Sequence, residues 1–148
     1  NSDASQAYDV AVGDRIAQLV IQPVVRARFV PVEALPEVRE ALVIGLELDG
    51  GGYWMPLFVV LADGVELDAD LDARIRDAIR THASPRHVPD AVIQAPGIPH
   101  TRTGKKLEVP IKKVLSDRDL GGAFDPGSVD APELIDWYRD VGRSHRPR

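Results

Sequence analysis

Apolar and polar positions alternate in short blocks over the first half of the chain, which predicts strands. Residues 15–21 carry apolar side chains on both faces of an extended segment, as a strand buried on both sides does. Residues 41–48 and 53–61 predict two more strands. The Asp-Gly-Gly-Gly run at residues 49–52 is a turn signal, so we predict a β-hairpin there. Residues 32–40 predict a short helix or helical turn, interrupted by a proline.

Helical periodicity appears next. Asp68 or Asp70 can cap a helix that runs to about His82 and ends at the following Ser-Pro pair. Its predicted inward residues recur at helical spacing: Leu71, Ile75, Ala78 and Ile79. Residues 88–94 predict a third strand of the main sheet, and a polar loop without periodicity follows at residues 97–106.

Two further helices are predicted near the C-terminus. Pro110 can start the first, which turns Ile111, Val114 and Leu115 inward. After a loose segment at residues 116–127, a capping arrangement at residues 130–133 predicts a last helix from Pro132 to Val141, with Leu134, Trp137 and Tyr138 on its inner face. The fold class is therefore α+β, a small mixed sheet with helices packed on it and an N-terminal strand added at an edge.

Composition and charge narrow the function classes. The 148 residues are 44% hydrophobic and 28% charged, which is typical of a globular protein. A net charge of -5 argues against nucleic-acid or anionic-membrane partners. The absence of cysteine excludes disulfides and thiol chemistry, and no apolar run is long enough to span a membrane. With no signal-peptide pattern at residues 1–10, we expect a cytoplasmic protein. Because the chain starts at Asn1, we expect it to be processed or excerpted from a longer one.

Candidate chemistry concentrates in the polar loop, where Thr103, Gly104 and Lys105 are consecutive. Glycine lets the backbone take unusual angles close to a ligand, and the lysine offers a point charge for phosphate or carboxylate oxygens. From the residues alone, a solvated surface lysine is the more common outcome. The four histidines lack ligand-like spacing, so no metal site is expected. The glycine run at residues 50–52 lacks the Gly-Lys-[ST] of a phosphate loop.

Residues 96–110 (PGIPHTRTGKKLEVP) resemble the closing motif of adenylate-forming enzymes, and residues 84–90 resemble their preceding motif. Adenylate-forming enzymes include acyl-CoA synthetases, peptide-synthetase adenylation domains and luciferases. Within them the acetoacetyl-CoA synthetases are most similar, because residues 50–58 and 127–130, with Trp137, also match their pattern. Residues 32–148 thus resemble the C-terminal lid domain of that family.

The resemblance implies a two-step reaction in which ATP and a carboxylate form an acyl-adenylate, and CoA then attacks to give a thioester. By position, Lys105 would be the catalytic lysine, with Thr103 and Gly104 supporting the nucleotide loop and Lys106 as the weaker alternative. Arg80 matches the position of an arginine that contacts CoA phosphate in related acyl-CoA synthetases, and Arg86 is nearby, so both are candidate CoA-binding residues. A solvated helix arginine is an equally good interpretation of Arg80.

The same resemblance implies that the chain is incomplete as an enzyme. The large adenylation domain, which would hold most of the ATP and acyl pockets, is not in the sequence, so we expect this chain alone to be inactive. No cofactor is expected to bind this chain alone, whereas ATP, Mg and CoA are implied for the complete acetoacetate–CoA ligase.

The first segment resembles a different family. Residues 12–22, continued at 29–36, are similar to the fourth motif of trimeric dUTPases, but that family's substrate-holding motifs are absent. The two resemblances meet within residues 32–37, which predicts a chimera with segments 1–31 and 32–148. The alternatives are an inactive lid, a non-enzymatic chimera that forms a homo-oligomer through its N-terminal strand, and the tail of a longer dUTPase fusion.

Overall fold

A computed structural model describes residues 35–121 and 125–147, and five strands and three helices lie within these ranges. The strands are β1 (Val38–Val43), β2 (Leu46–Glu47), β3 (Tyr53–Trp54), β4 (Pro56–Leu61) and β5 (Ala91–Gln94). The helices are α1 (Ala69–His82), α2 (Glu108–Leu115) and α3 (Leu134–His145). Three strands form the main sheet in the order β1-β4-β5, with β1 antiparallel and β5 parallel to β4. The α+β fold with a small mixed sheet is therefore confirmed.

The predicted hairpin is present, but each arm is broken into two strands. Val43 pairs with Leu57 in the main sheet, and Leu46 pairs with Trp54 in the separate two-stranded extension. Gly45 lies at the break in the first arm, under the ring of Tyr53. A Cβ atom at Gly45 would lie 1.8 Å from Tyr53 Oη, so only glycine leaves room for the tyrosine.

The helical turn predicted for residues 32–40 is wrong where the structure describes it. Residues 36–37 form a turn, and β1 begins at Val38. Ala62 N donates a hydrogen bond to Glu37 O, and Val38 pairs with Leu61. Pairing with β4, which is distant in sequence, thus overrides the local preference. The predicted strand at residues 15–21 lies outside the described residues.

Helix α1 covers one face of the sheet. Asp68 is its N-cap, as predicted, and its carboxylate accepts a hydrogen bond of 2.8 Å from Leu71 N. Alternate residues of β4 point toward this helix, because side chains alternate across a strand. The resulting cluster is buried and apolar: Leu57, Val59, Leu61, Leu71 and Ile75.

Helices α2 and α3 cover the opposite face. Phe58 of β4 and Tyr138 of α3 are fully buried there, and their rings meet edge to face with centroids 4.9 Å apart. The predicted inward residues of α2 are all buried, although the helix begins at Glu108, two residues before Pro110. Helix α3 begins at Leu134 and extends to His145, beyond the predicted end. No helix in the described ranges is both long and apolar enough to cross a membrane.

The contact between α2 and α3 yields a stability prediction at Gly142. A Cβ atom there would lie 2.6 Å from Leu115 O and 2.7 Å from Leu115 Cα, so the two helix backbones must move apart. Gly142→Ala should therefore lower the free energy of unfolding by about 1–3 kcal/mol, as overpacking does, although alanine favours helices over glycine. Urea denaturation measures the change. The control Thr81→Ala, at an exposed position of α1, should change stability by no more than about 0.5 kcal/mol.

Candidate functional site

The Thr-Gly-Lys run lies in the loop between β5 and α2. The loop leaves the sheet where Ala95 N donates to Val59 O, and Leu107 N donates back to Pro99 O at 3.1 Å. Isolated β-bridges join His100 to Lys106 and Thr101 to Val129. The predicted polar loop is therefore confirmed, and its two ends are held close together at the base of α2.

Residues 101–105 form a closed turn at the tip of this loop. Gly104 N donates to Thr101 O and Thr101 N donates to Lys105 O, each at 2.8 Å. Lys105 N donates to Thr101 Oγ1 at 3.1 Å, and the hydroxyls of Thr101 and Thr103 lie 2.9 Å apart. Gly104 has φ +80°, a left-handed conformation that suits glycine. Thr103 and Gly104 thus build the turn that presents Lys105.

The two adjacent lysines have different surroundings. Lys105 is exposed, and within the described parts of the chain its ammonium group forms no ion pair. Lys106 Nζ donates to Ala41 O at 2.7 Å and lies 3.4 Å from Glu40 Oε1, so it ties the loop to β1. The ammonium group of Lys106 is therefore engaged in contacts within the domain, and the exposed Lys105 is the lysine that can reach a ligand.

Other anchors of the loop come from distant parts of the chain. His100 Nε2 lies 2.7 Å from Glu40 Oε1, and His100 N donates to Asp130 Oδ1 at 2.7 Å. Tyr138 Oη donates to Gly97 O at 2.9 Å. Burial raises the pKa of Tyr138 far above its usual range, so its hydroxyl keeps the proton that it donates.

Glu40, His100, Asp130 and Tyr138 were not predicted from the sequence as parts of this site. Asp130 was predicted to help cap the last helix, which is wrong: the residue at the N-cap position of α3 is Glu133, and the Asp130 carboxylate accepts from the loop instead. No local signal could have revealed these contacts, because 30 to 60 residues separate the partners of His100 from it in sequence.

The two candidate CoA-binding arginines are in segments that precede β5, whereas the Lys105 turn follows β5. Arg80 is in the last turn of α1, exposed and 3.3 Å from Asp77 Oδ1. Arg86 is exposed in the 3-10 turn Pro85–His87, which precedes β5, whereas Lys105 follows β5. No described contact joins either arginine to the Lys105 turn.

No metal centre accompanies the turn within residues 35–121 and 125–147. No group of three or more His, Asp or Glu residues there has the geometry of a metal site. Two open clefts of about 470 and 370 Å³ lie beside α1 and beside the end of α3, and Lys105 lines neither. Because Lys105 is exposed, a ligand bound by its ammonium group would need a second surface to enclose it.

Comparison with known proteins agrees with this geometry. Residues 32–105 match the family model of the AMP-binding enzyme C-terminal domain, which is half of the chain. The chain belongs to this family. The matched residues run from the segment before β1 to Lys105, and so end at the turn described above.

Similar proteins are acetoacetyl-CoA synthetases. The mouse protein is 40% identical over 110 residues, which are 74% of this chain and 16% of that protein. The Rhizobium meliloti protein is 44% identical over 107 residues, again 16% of its length. The solved acetoacetyl-CoA synthetase of Streptomyces lividans superposes with a TM-score of 0.68 at 54% identity, covering 76% of this chain and 17% of that one. The predicted resemblance to acetoacetyl-CoA synthetases is confirmed. The chain spans about a sixth of the length of these relatives.

Asp130 provides a test of the loop's attachment by pH. The hydrogen bond from His100 N is the largest cause that lowers the pKa of Asp130 below its ordinary value of 3.8. A lowered pKa in the folded state stabilises the fold above the ordinary value, and this contribution is lost as the pH falls through the folded pKa. Asp130→Asn should therefore destabilise the chain at pH 7 and do so progressively less below about pH 4.

Urea denaturation from pH 7 to pH 2.5 measures the difference between the wild type and this variant. Asp49→Asn, at an exposed position of the hairpin turn, is the matched control and should give a small difference that does not depend on the Asp130 titration. A wild-type carboxyl midpoint at or above 3.8 in an NMR titration of Asp130 would contradict the assignment.

Proposed function

We propose that this chain is the C-terminal lid portion of an acetoacetate–CoA ligase. The complete reaction converts ATP, acetoacetate and CoA into acetoacetyl-CoA, AMP and diphosphate, and this chain contributes the catalytic lysine. The observation that carries the proposal is the 54% identity to the Streptomyces lividans acetoacetyl-CoA synthetase together with a shared fold. We propose a cytoplasmic location with it.

Lys105 would act electrostatically. Its side chain extends from a turn closed by two backbone–backbone hydrogen bonds and by a third from Lys105 N to the Thr101 hydroxyl, so the position of its Cα is fixed while the long side chain adjusts to the substrate. An ammonium group that faces the reacting carboxylate and phosphate oxygens stabilises the charge that develops on them, and it does so most strongly where water is excluded. Thr103 and Gly104 would support the same contact by shaping the turn.

The other ligands of the reaction would be shared with the missing large domain. Arg80 and Arg86 are exposed guanidinium groups suited to a CoA phosphate, and they remain proposed contacts. No cluster of three or more potential metal ligands is found among the described residues, and Mg would be held mainly by the phosphates of ATP and the large domain.

A large adenylation domain is the partner that this proposal requires. Lys105 is exposed at the tip of its turn, and the family relatives are about six times longer than the matched segment. By itself the chain would therefore have no acetoacetate-dependent activity, because nothing encloses the reacting atoms.

A domain graft tests the function. The C-terminal domain of the Streptomyces lividans synthetase is replaced by residues 32–148 of this chain, and AMP release is measured with and without acetoacetate. The graft should restore activity to the truncated enzyme. Lys105→Ala in the graft should lower the rate by about 10²–10³, the usual cost of one group that stabilises the transition state.

The matched control is Lys112→Ala, another exposed lysine, on the outer face of α2. It should leave the rate within about twofold, as surface substitutions do. A graft whose C-terminal domain is folded but which releases no acetoacetate-dependent AMP would overturn the proposed function, as would an equal effect of the two lysine variants.

We also propose a separate origin for residues 1–31, which resemble part of a trimeric dUTPase. The family match begins at residue 32, which supports a boundary there. In the alternative, non-enzymatic function, this segment would drive self-association of the chain.

Light scattering tests this second candidate. The intact chain should have a mass above the 16.2 kDa of one copy, and deletion of residues 1–30 should return it to a monomer, because the apolar strand predicted for residues 15–21 would need a partner edge. A strictly monomeric intact chain over the accessible concentration range would contradict self-association.

A further inference from the structure

We infer that His100 is a positioning residue for Lys105, acting with Glu40 and Asp130 as a clamp on the turn that carries the lysine. The structural part of this inference stands on the contacts of the described residues. Its catalytic consequence rests on the function proposed above for Lys105.

The clamp holds His100 from two sides. Nε2 of the imidazole lies 2.7 Å from Glu40 Oε1 of β1, and because a carboxylate can only accept, Nε2–H is the donor. Nδ1 lies 3.4 Å from Asp130 Oδ2. The His100 backbone is held as well, since its N donates to Asp130 Oδ1 at 2.7 Å and its O accepts from Asp130 N at 3.1 Å.

Partial burial distinguishes the clamp from ordinary surface ion pairs. The side chains of His100 and Glu40 are 21% and 28% exposed. The pair of Arg39 and Asp63 elsewhere on β1 is 54% and 88% exposed, and such exposed pairs contribute little. Lys106 Nζ lies 3.4 Å from the same Glu40 oxygen, so two carboxylates and two basic side chains meet at this place.

Glu40 connects to both stems of the turn. His100 and Lys106 face each other in a β-bridge, with residues 101–105 between them, and the side chains of both approach Glu40 Oε1. Strand β1 thus fixes the two residues from which the Lys105 turn projects. Because misplacement of a reacting group by about 1 Å can cost roughly 10²-fold in rate, this fixation should matter for catalysis.

Hydrogen exchange on the intact 148-residue chain tests the clamp without reference to activity. His100→Phe keeps a ring of similar size but removes both ring nitrogens. It should raise the exchange rates of the Thr101 and Lys105 amides by about tenfold, the effect of losing one hydrogen bond to a charged partner. The amides of Phe58 and Ile111 in the core should keep their rates. His82→Phe, at an exposed position of α1, is the matched control and should change neither set.

A conservative variant separates the effect of the lost hydrogen-bond donor from the effect of the changed side-chain shape. His100→Gln retains an amide donor that can reach Glu40, so it should restore most of the protection that His100→Phe removes. Glu40→Gln keeps a neutral acceptor and should give a smaller rise in the same two amides, which tests the clamp even where His100→Phe does not fold. Unchanged loop amides, or core and loop amides that change by the same factor, would overturn the inference.

The grafted synthetase then tests the catalytic consequence. His100→Phe should lower kcat while the KM for ATP stays nearly constant, and it should have no further effect when Lys105 is already alanine, because both changes act on the same contact. Additive losses in the double variant would overturn the link to Lys105. An inactive graft would count against the proposed function alone, since the exchange measurement judges the clamp independently.

Discussion

The rest of the fold depends on strand β4, because helices pack on both of its faces and a neighbouring strand pairs with each of its edges. Its alternate side chains enter the α1 cluster on one face and the α2/α3 cluster on the other. Along its edges it pairs with β1 and β5. Five of its six residues are buried, so both helical layers depend on the position of this strand.

Contacts with this sheet determine the position of the Lys105 turn. The loop leaves β5 at a hydrogen bond to Val59 of β4, and its far end is tied by Lys106 to Ala41 O of β1. Between these points it rests on the C-terminal part of the chain, through Asp130 and through the hydroxyl of Tyr138. The loop that carries the Lys105 turn is thus held by contacts from four separate segments, made by residues on either side of the turn.

The adjacent residues Lys105 and Lys106 make different contacts. The ammonium group of Lys106 lies beside Glu40 within the domain, whereas the ammonium group of Lys105 is exposed at the surface. This difference leaves Lys105 available for the role proposed above, in a family whose model match ends at that residue.

The sequence by itself determined the features that local chemistry controls. The glycine turn of the hairpin, the Asp68 cap of α1, the inward face of α2 and the run from Thr103 to Lys105 were all visible in short stretches of residues. Only the tertiary structure decided the start of β1 at Val38, the split of each hairpin arm and the clamp around His100. The physical reason is that these features depend on partners distant in the chain: β4 imposes the strand on residues 38–40, and Glu40 meets His100 across 60 residues.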